Sequence, residues 1–98
     1  MSEKVLVSVF DKVANLYSPV MTEVNQESAI RNFKIGAKQN AQISACPQDY
    51  ELHLVGFWDD ETGKVVGYMG DQSVLLFKAQ DLFSADQKKS REPSGGYI

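Results

Sequence analysis

Few residues in this chain could do covalent or metal chemistry. His53 is the single histidine and Cys46 the single cysteine among 98 residues. Two such donors fall short of a zinc site, which takes four well-placed ligands. No serine stands in a nucleophile elbow, and no glycine-rich loop could cradle a phosphate. His53 alternates with Leu52 and Leu54, the pattern of a histidine on a strand surface. Asp59, Asp60 and Glu61 lack the spacing of a calcium loop and read as turn residues. The chain is therefore expected to be non-enzymatic, with no cofactor and no bound metal.

What remains is the chemistry of recognition. Arg31, Lys34 and Lys38 fall within about 60° of one another on a helical wheel, forming a narrow basic row. Such a row can meet phosphates, or it can be a solvated face in which Glu27 pairs with Arg31 one turn on. Formal net charge is −3, so attraction to nucleic acid would have to be local rather than global.

These side chains need elements to hold them. Val5, Val7 and Val9 alternate with Leu6, Ser8 and Phe10, a strand rich in β-branched residues. Residues 17–22 can return as a second strand, with Pro19 at an edge, a start or a bulge because it donates no hydrogen bond. Asn25 is a good N-cap, and Glu27 suits the positive end of a helix running to about Lys38. Val24 and Ala29 are placed for a hydrophobic staple. Ala29, Ile30, Phe33 and Ala37 make the face that should lie on a sheet. Residues 41–48 read as a connecting loop.

From Pro47 to Gly63 the alternation of Tyr50, Leu52, Leu54 and Trp58, closed by an acidic tip, predicts a β-hairpin with a four- or five-residue loop. Residues 64–69 return beside it, and Val74 to Phe77 form one more strand. The expected fold is α+β: a small, mainly antiparallel sheet with one helix on one face, in the order ββαβββ. Residues 1–83 form one domain, and 84–98 read as a mobile polar tail. No run of about 18 apolar residues and no signal-peptide pattern are present. The lone cysteine is compatible with a reducing compartment.

One helix covers one face of such a sheet, yet several strands are apolar on both sides. Leu6 and Phe10 oppose the valines of the first strand, and Val55 and Phe57 oppose Leu52, Leu54 and Trp58. Exposed, these would forfeit burial worth about 25 cal/mol per Å². A second subunit, the segment around Leu82 and Phe83, or unpaired bases stacked on an aromatic platform could cover that face. Leu6, Phe10, Val55 and Ile35 are the candidate oligomer contacts, Ile35 lying nearly opposite the core stripe of the helix.

Five segments follow a known pattern in order: Val9-Phe10-Asp11-Lys12, Tyr17-Ser18-Pro19, Ala29-Ile30-Arg31-Asn32-Phe33, the run 47–52 and the run 55–63. Together they resemble the small nonstructural protein of gokushoviruses, single-stranded DNA phages of the microvirus family, over roughly Val5 to Leu82. The resemblance implies a protein of the infected bacterium's cytoplasm that is not a major component of the mature capsid. It also implies a role on DNA in single-stranded replication or packaging, and it supplies no catalytic residues. On this reading single-stranded DNA is the partner, a homo-oligomer (a dimer first) is the active form, and no membrane is involved. Arg31, Lys34 and Lys38 would meet phosphates, while Tyr17, Phe57 and Tyr68 would stack on bases. The rival reading is an assembly factor that binds phage or host proteins through the spare apolar face.

Overall fold

The computed structural model describes residues 3–67 and 73–83. Tyr68 and the segment 84–98 lie outside the described residues. The fold is a small α+β layer built on two long antiparallel strands, β1 (Glu3–Asp11) and β4 (Tyr50–Asp59). Along the outer edge of β1 run β2 (Leu16–Tyr17) and β3 (Met21–Glu23), end to end. Along the outer edge of β4 run β5 (Val65–Gly67) and β6 (Val74–Lys78) in the same manner. All pairings in this six-stranded sheet are antiparallel.

The expected single return strand over 17–22 is split in two around Pro19. Ser18 carries the pairing across the gap. Its backbone N–H donates to Val9 O at 2.8 Å, and its Oγ accepts from Val9 N at 2.9 Å. A proline with no N–H to give is thus accommodated between two short edge strands.

Helix α1 (Gln26–Gln39) begins where the cap rule places it, with Asn25 Oδ1 accepting from Ser28 N at 2.7 Å. Ala29, Phe33 and Ala37 are buried and Ile30 packs beside them. Val24, placed for a staple with Ala29, is largely exposed. Residues 41–48 are no plain loop. Asn40 closes α1 with its N–H on Ala37 O, and its Oδ1 accepts from Gln42 N and Ile43 N to open α2 (Ala41–Ala45). A 3-10 turn, Pro47–Asp49, then leads into β4. Burial of Ile43 in the core holds this second helix in place.

The core lies between the helices and one sheet face, with Val5, Val7, Leu52 and Leu54 under Ala29, Phe33 and Ala37. Residues 79–83 are helical, and Ala79 and Leu82 pack against this same cluster. The segment around Leu82 therefore adds to the helix-side core rather than to the opposite sheet face.

Between β1 and β4 the register runs Leu6↔Gly56 and then Val7↔Leu54, so Val55 is an extra residue on β4. Such a bulge turns every later side chain to the other face. Phe57, expected opposite Leu52 and Leu54, sits across from Val5 and packs on the core, whereas Trp58 pairs with Lys4 on the far face.

The hairpin tip matches its expectation. Asp59 N donates to Lys64 O at 2.9 Å and Gly63 N donates to Asp59 O at 2.8 Å. These bonds enclose a four-residue loop in which Gly63 takes φ 75°, the left-handed region that suits glycine.

Candidate functional site

The sheet face turned away from the helices gathers the polar and aromatic side chains. From β1 it receives Leu6, Ser8 and Phe10, each paired across to β4: Gly56, His53 and Glu51 respectively. Tyr17 of β2 sits opposite Phe10, Leu75 of β6 opposite His53, and Lys78 opposite Glu51. Alternation along the strands puts them all on one surface.

At its centre three rings meet. Phe10 and Tyr17 have centroids 4.6 Å apart, Phe10 and His53 5.6 Å, and Tyr17 and His53 5.5 Å, the last two edge to face. Aromatic pairs at these separations contribute about 0.5–1.5 kcal/mol beyond area burial. Ser8, 1% exposed, is a small residue paired with His53, which leaves room for the Tyr17 ring to reach over from β2. Ser8 Oγ donates to Ser18 O at 2.7 Å and so ties down the turn that carries Tyr17.

A chain of hydrogen bonds fixes the ring orientations. His53 Nε2 lies 3.0 Å from Glu51 Oε1, and His53 Nδ1 lies 2.8 Å from Ser73 Oγ. Ser73 Oγ is also 3.0 Å from the Tyr17 hydroxyl. A carboxylate only accepts, so the His53 Nε2–H donates to Glu51, and Nδ1 meets the Ser73 hydroxyl. The bond from His53 holds the Glu51 carboxyl below its ordinary range; Lys12, 3.6 Å away, acts in the same direction, against the opposing effect of burial.

Serine, histidine and glutamate in series have the composition of a nucleophilic triad. Ser73 is engaged by both Tyr17 and His53. The arrangement acts as a clasp from β2 across β4 to the start of β6. Glu51 and His53, two residues apart on one strand, share a face, a spacing that could have paired them although the alternation placed His53 only on a strand surface. Ser73 was not legible as their partner, because its approach depends on how the chain returns to β6.

The basic row stands elsewhere. Arg31, Lys34 and Lys38 are exposed on α1, on the helix side of the sheet, and Lys34 Nζ lies 5.0 Å from the Phe77 ring centroid. Tyr17 is on the opposite side of the sheet, so these predicted site residues do not form one surface. Phe57 is taken up by the core and Tyr68 lies outside the described residues. The oligomer candidates divide in the same way. Leu6 and Phe10 are half-buried on the open face, Val55 occupies the bulge, and Ile35 is exposed on the helix.

Two adjoining clefts open along the β2–β3 edge between sheet and helices. One, of about 230 Å³, is lined by residues that include Val7, Met21, Phe33 and Leu52. The other includes Leu16, Tyr17 and Tyr50, and both share Val9, Met21, Asn40 and Ile43. Leu16, Val20, Met21 and Val24 are exposed along this margin.

Among the described residues no group of three His, Cys, Asp or Glu is placed to hold a metal ion. At the hairpin tip Asp60 pairs with Lys4 at 2.7 Å, and Asp59 Oδ1 accepts from Glu61 N. No helix among the described residues is long and apolar enough to cross a membrane.

Residues 4–82 match a family model described as Phage ORF5 protein. No curated protein and no solved structure matches the chain.

Proposed function

The chain belongs to the Phage ORF5 protein family, and on that premise we propose that it is a non-enzymatic nonstructural protein of a gokushovirus that binds single-stranded DNA. Its place is the replication or packaging of the genome, in the cytoplasm of the infected bacterium, and it acts as an oligomer, with a dimer first. The observation that carries this reading is the row of Arg31, Lys34 and Lys38, exposed together along α1. Cations spaced by one helical turn suit the phosphates of a flexible single strand.

A titration of labelled oligo-dT at several salt concentrations tests it. Binding should weaken as salt rises, and weaken further in an Arg31→Ala/Lys34→Ala/Lys38→Ala variant. No detectable binding at about 50 mM salt with tens of micromolar protein would sink the reading, since nonspecific contacts of this kind reach that range.

A second reading, a protein-binding assembly factor, is favoured by the apolar β2–β3 margin, where Leu16 is 67% and Val20 56% exposed. Exposed apolar residues gathered beside open clefts are a recurrent mark of protein contact. That reading predicts no salt-dependent DNA binding and a loss of partner binding in a Leu16→Lys variant.

A further inference from the structure

We infer that the open sheet face is a base-stacking surface for unpaired nucleic acid, centred on Tyr17 and running along β1 and β4 toward Trp58. This rests on the single-stranded DNA reading but assigns the bases to a face that the α1 row does not share. The argument begins with Tyr17, which is 49% exposed although its ring packs on Phe10 and His53. An exposed ring on an edge strand would ordinarily be free to turn. This one is held at its hydroxyl by Ser73 and at its ring by two neighbours. It offers a flat apolar surface whose orientation is set before any ligand arrives, which reduces the ordering cost of binding.

Charge is arranged to suit a phosphate chain beside that ring. Lys12 follows β1 directly and lies 3.6 Å from Glu51, and Lys78 is exposed directly across from Glu51 in the register. Glu51 is already engaged by His53 and Lys12, so its charge is partly compensated on the protein side. Leu75, 43% exposed opposite His53, extends the apolar floor. Toward the other end of β1, Trp58 pairs with Lys4 on the same face, the Lys4 charge being met by Asp60 at 2.7 Å. From Phe10 to Lys4 the strand covers about 20 Å, room for several bases in a row. Stacking of this kind accepts any base, because each presents a π-face. A protein partner would gain little from lysines placed around a tethered tyrosine, whereas a single strand uses both.

The test uses the full chain, oligo-dT and an abasic oligomer of equal length, with the fluorescence of Trp58, the single tryptophan, as a reporter. Oligo-dT should quench Trp58 more than the abasic oligomer does. Tyr17→Ala should weaken oligo-dT binding by about 5- to 150-fold, the range expected for loss of one stacked base, and leave abasic binding nearly unchanged. Tyr17→Phe, which keeps the ring and loses only the bond to Ser73, should bind oligo-dT close to wild type. If wild type binds oligo-dT but Tyr17→Ala binds it equally well and Trp58 is not quenched, the surface assigned here is wrong while the DNA reading stands. Equal binding of oligo-dT and the abasic oligomer would also overturn it, since bases would then contribute nothing. Failure of wild type to bind oligo-dT at all removes both.

Discussion

Glu51 shows how much one side chain can carry. It receives the bond from His53, faces Lys12, and sits opposite Phe10 and Lys78 in the two adjoining registers. Its carboxyl is held below the ordinary value of 4.5, first by the His53 bond. A carboxyl more acidic in the folded chain than in the unfolded one stabilises the fold above the unfolded value. That contribution is lost as pH falls through the lower, folded value. Urea midpoints should therefore decline as pH falls below the ordinary carboxyl value of 4.5, and Glu51→Gln should flatten that decline. Gly56 makes a steric prediction. A Cβ placed there would lie 2.7 Å from Val66 O, a backbone atom of the neighbouring strand. Gly56→Ala should cost about 1–3 kcal/mol in urea unfolding, because β5 must move away. Such a glycine is legible in the sequence only as a residue without a side chain; the approach of β5 gives the reason.

At the scale of elements, Asn40 is the joint of the helical layer. It ends α1 with its N–H and begins α2 with its side chain. Asn40→Ala should lower stability by about 0.5–2 kcal/mol, read by chemical denaturation with far-UV circular dichroism. Part of the loss should appear as fraying of α2, since five residues cannot hold a helix without cap and core contact. The sequence announced α1 in full because cap, first-turn acid and apolar stripe agree with one another. It did not announce α2. Ala-Gln-Ile-Ser-Ala is too short for a period to emerge, and burial of Ile43 supplies what propensity lacks. Pro19 marked an interruption without saying which neighbour would bridge it; the Ser18 side chain does so by pairing with Val9.

At the scale of the whole molecule, net charge and surface pattern set the terms of any partnership. With a formal charge of −3, the subunit is not drawn to DNA as a body. Three phosphate contacts from the α1 row predict a log–log salt slope of about −2 for a single strand. A markedly steeper measured slope would mean that further cations, such as Lys12 and Lys78, also contact the strand, or that several subunits bind together. Linked weak sites reinforce one another, so light scattering with oligo-dT should give a mass above one subunit if oligomerisation supports binding. By itself the sequence determined the long strands, α1 with its Asn25 cap and the acidic hairpin tip, because each is written in residues close together in the chain. Which side chains share a face was decided only in three dimensions. One extra residue at Val55 moved Phe57 into the core and Trp58 to the open side, and a bulge depends on how the partner strand pairs rather than on the alternation of its own sequence. The clasp of Tyr17, His53, Ser73 and Glu51 has the same origin, since residues 56 positions apart meet only when β2 and β6 settle on opposite edges of one sheet.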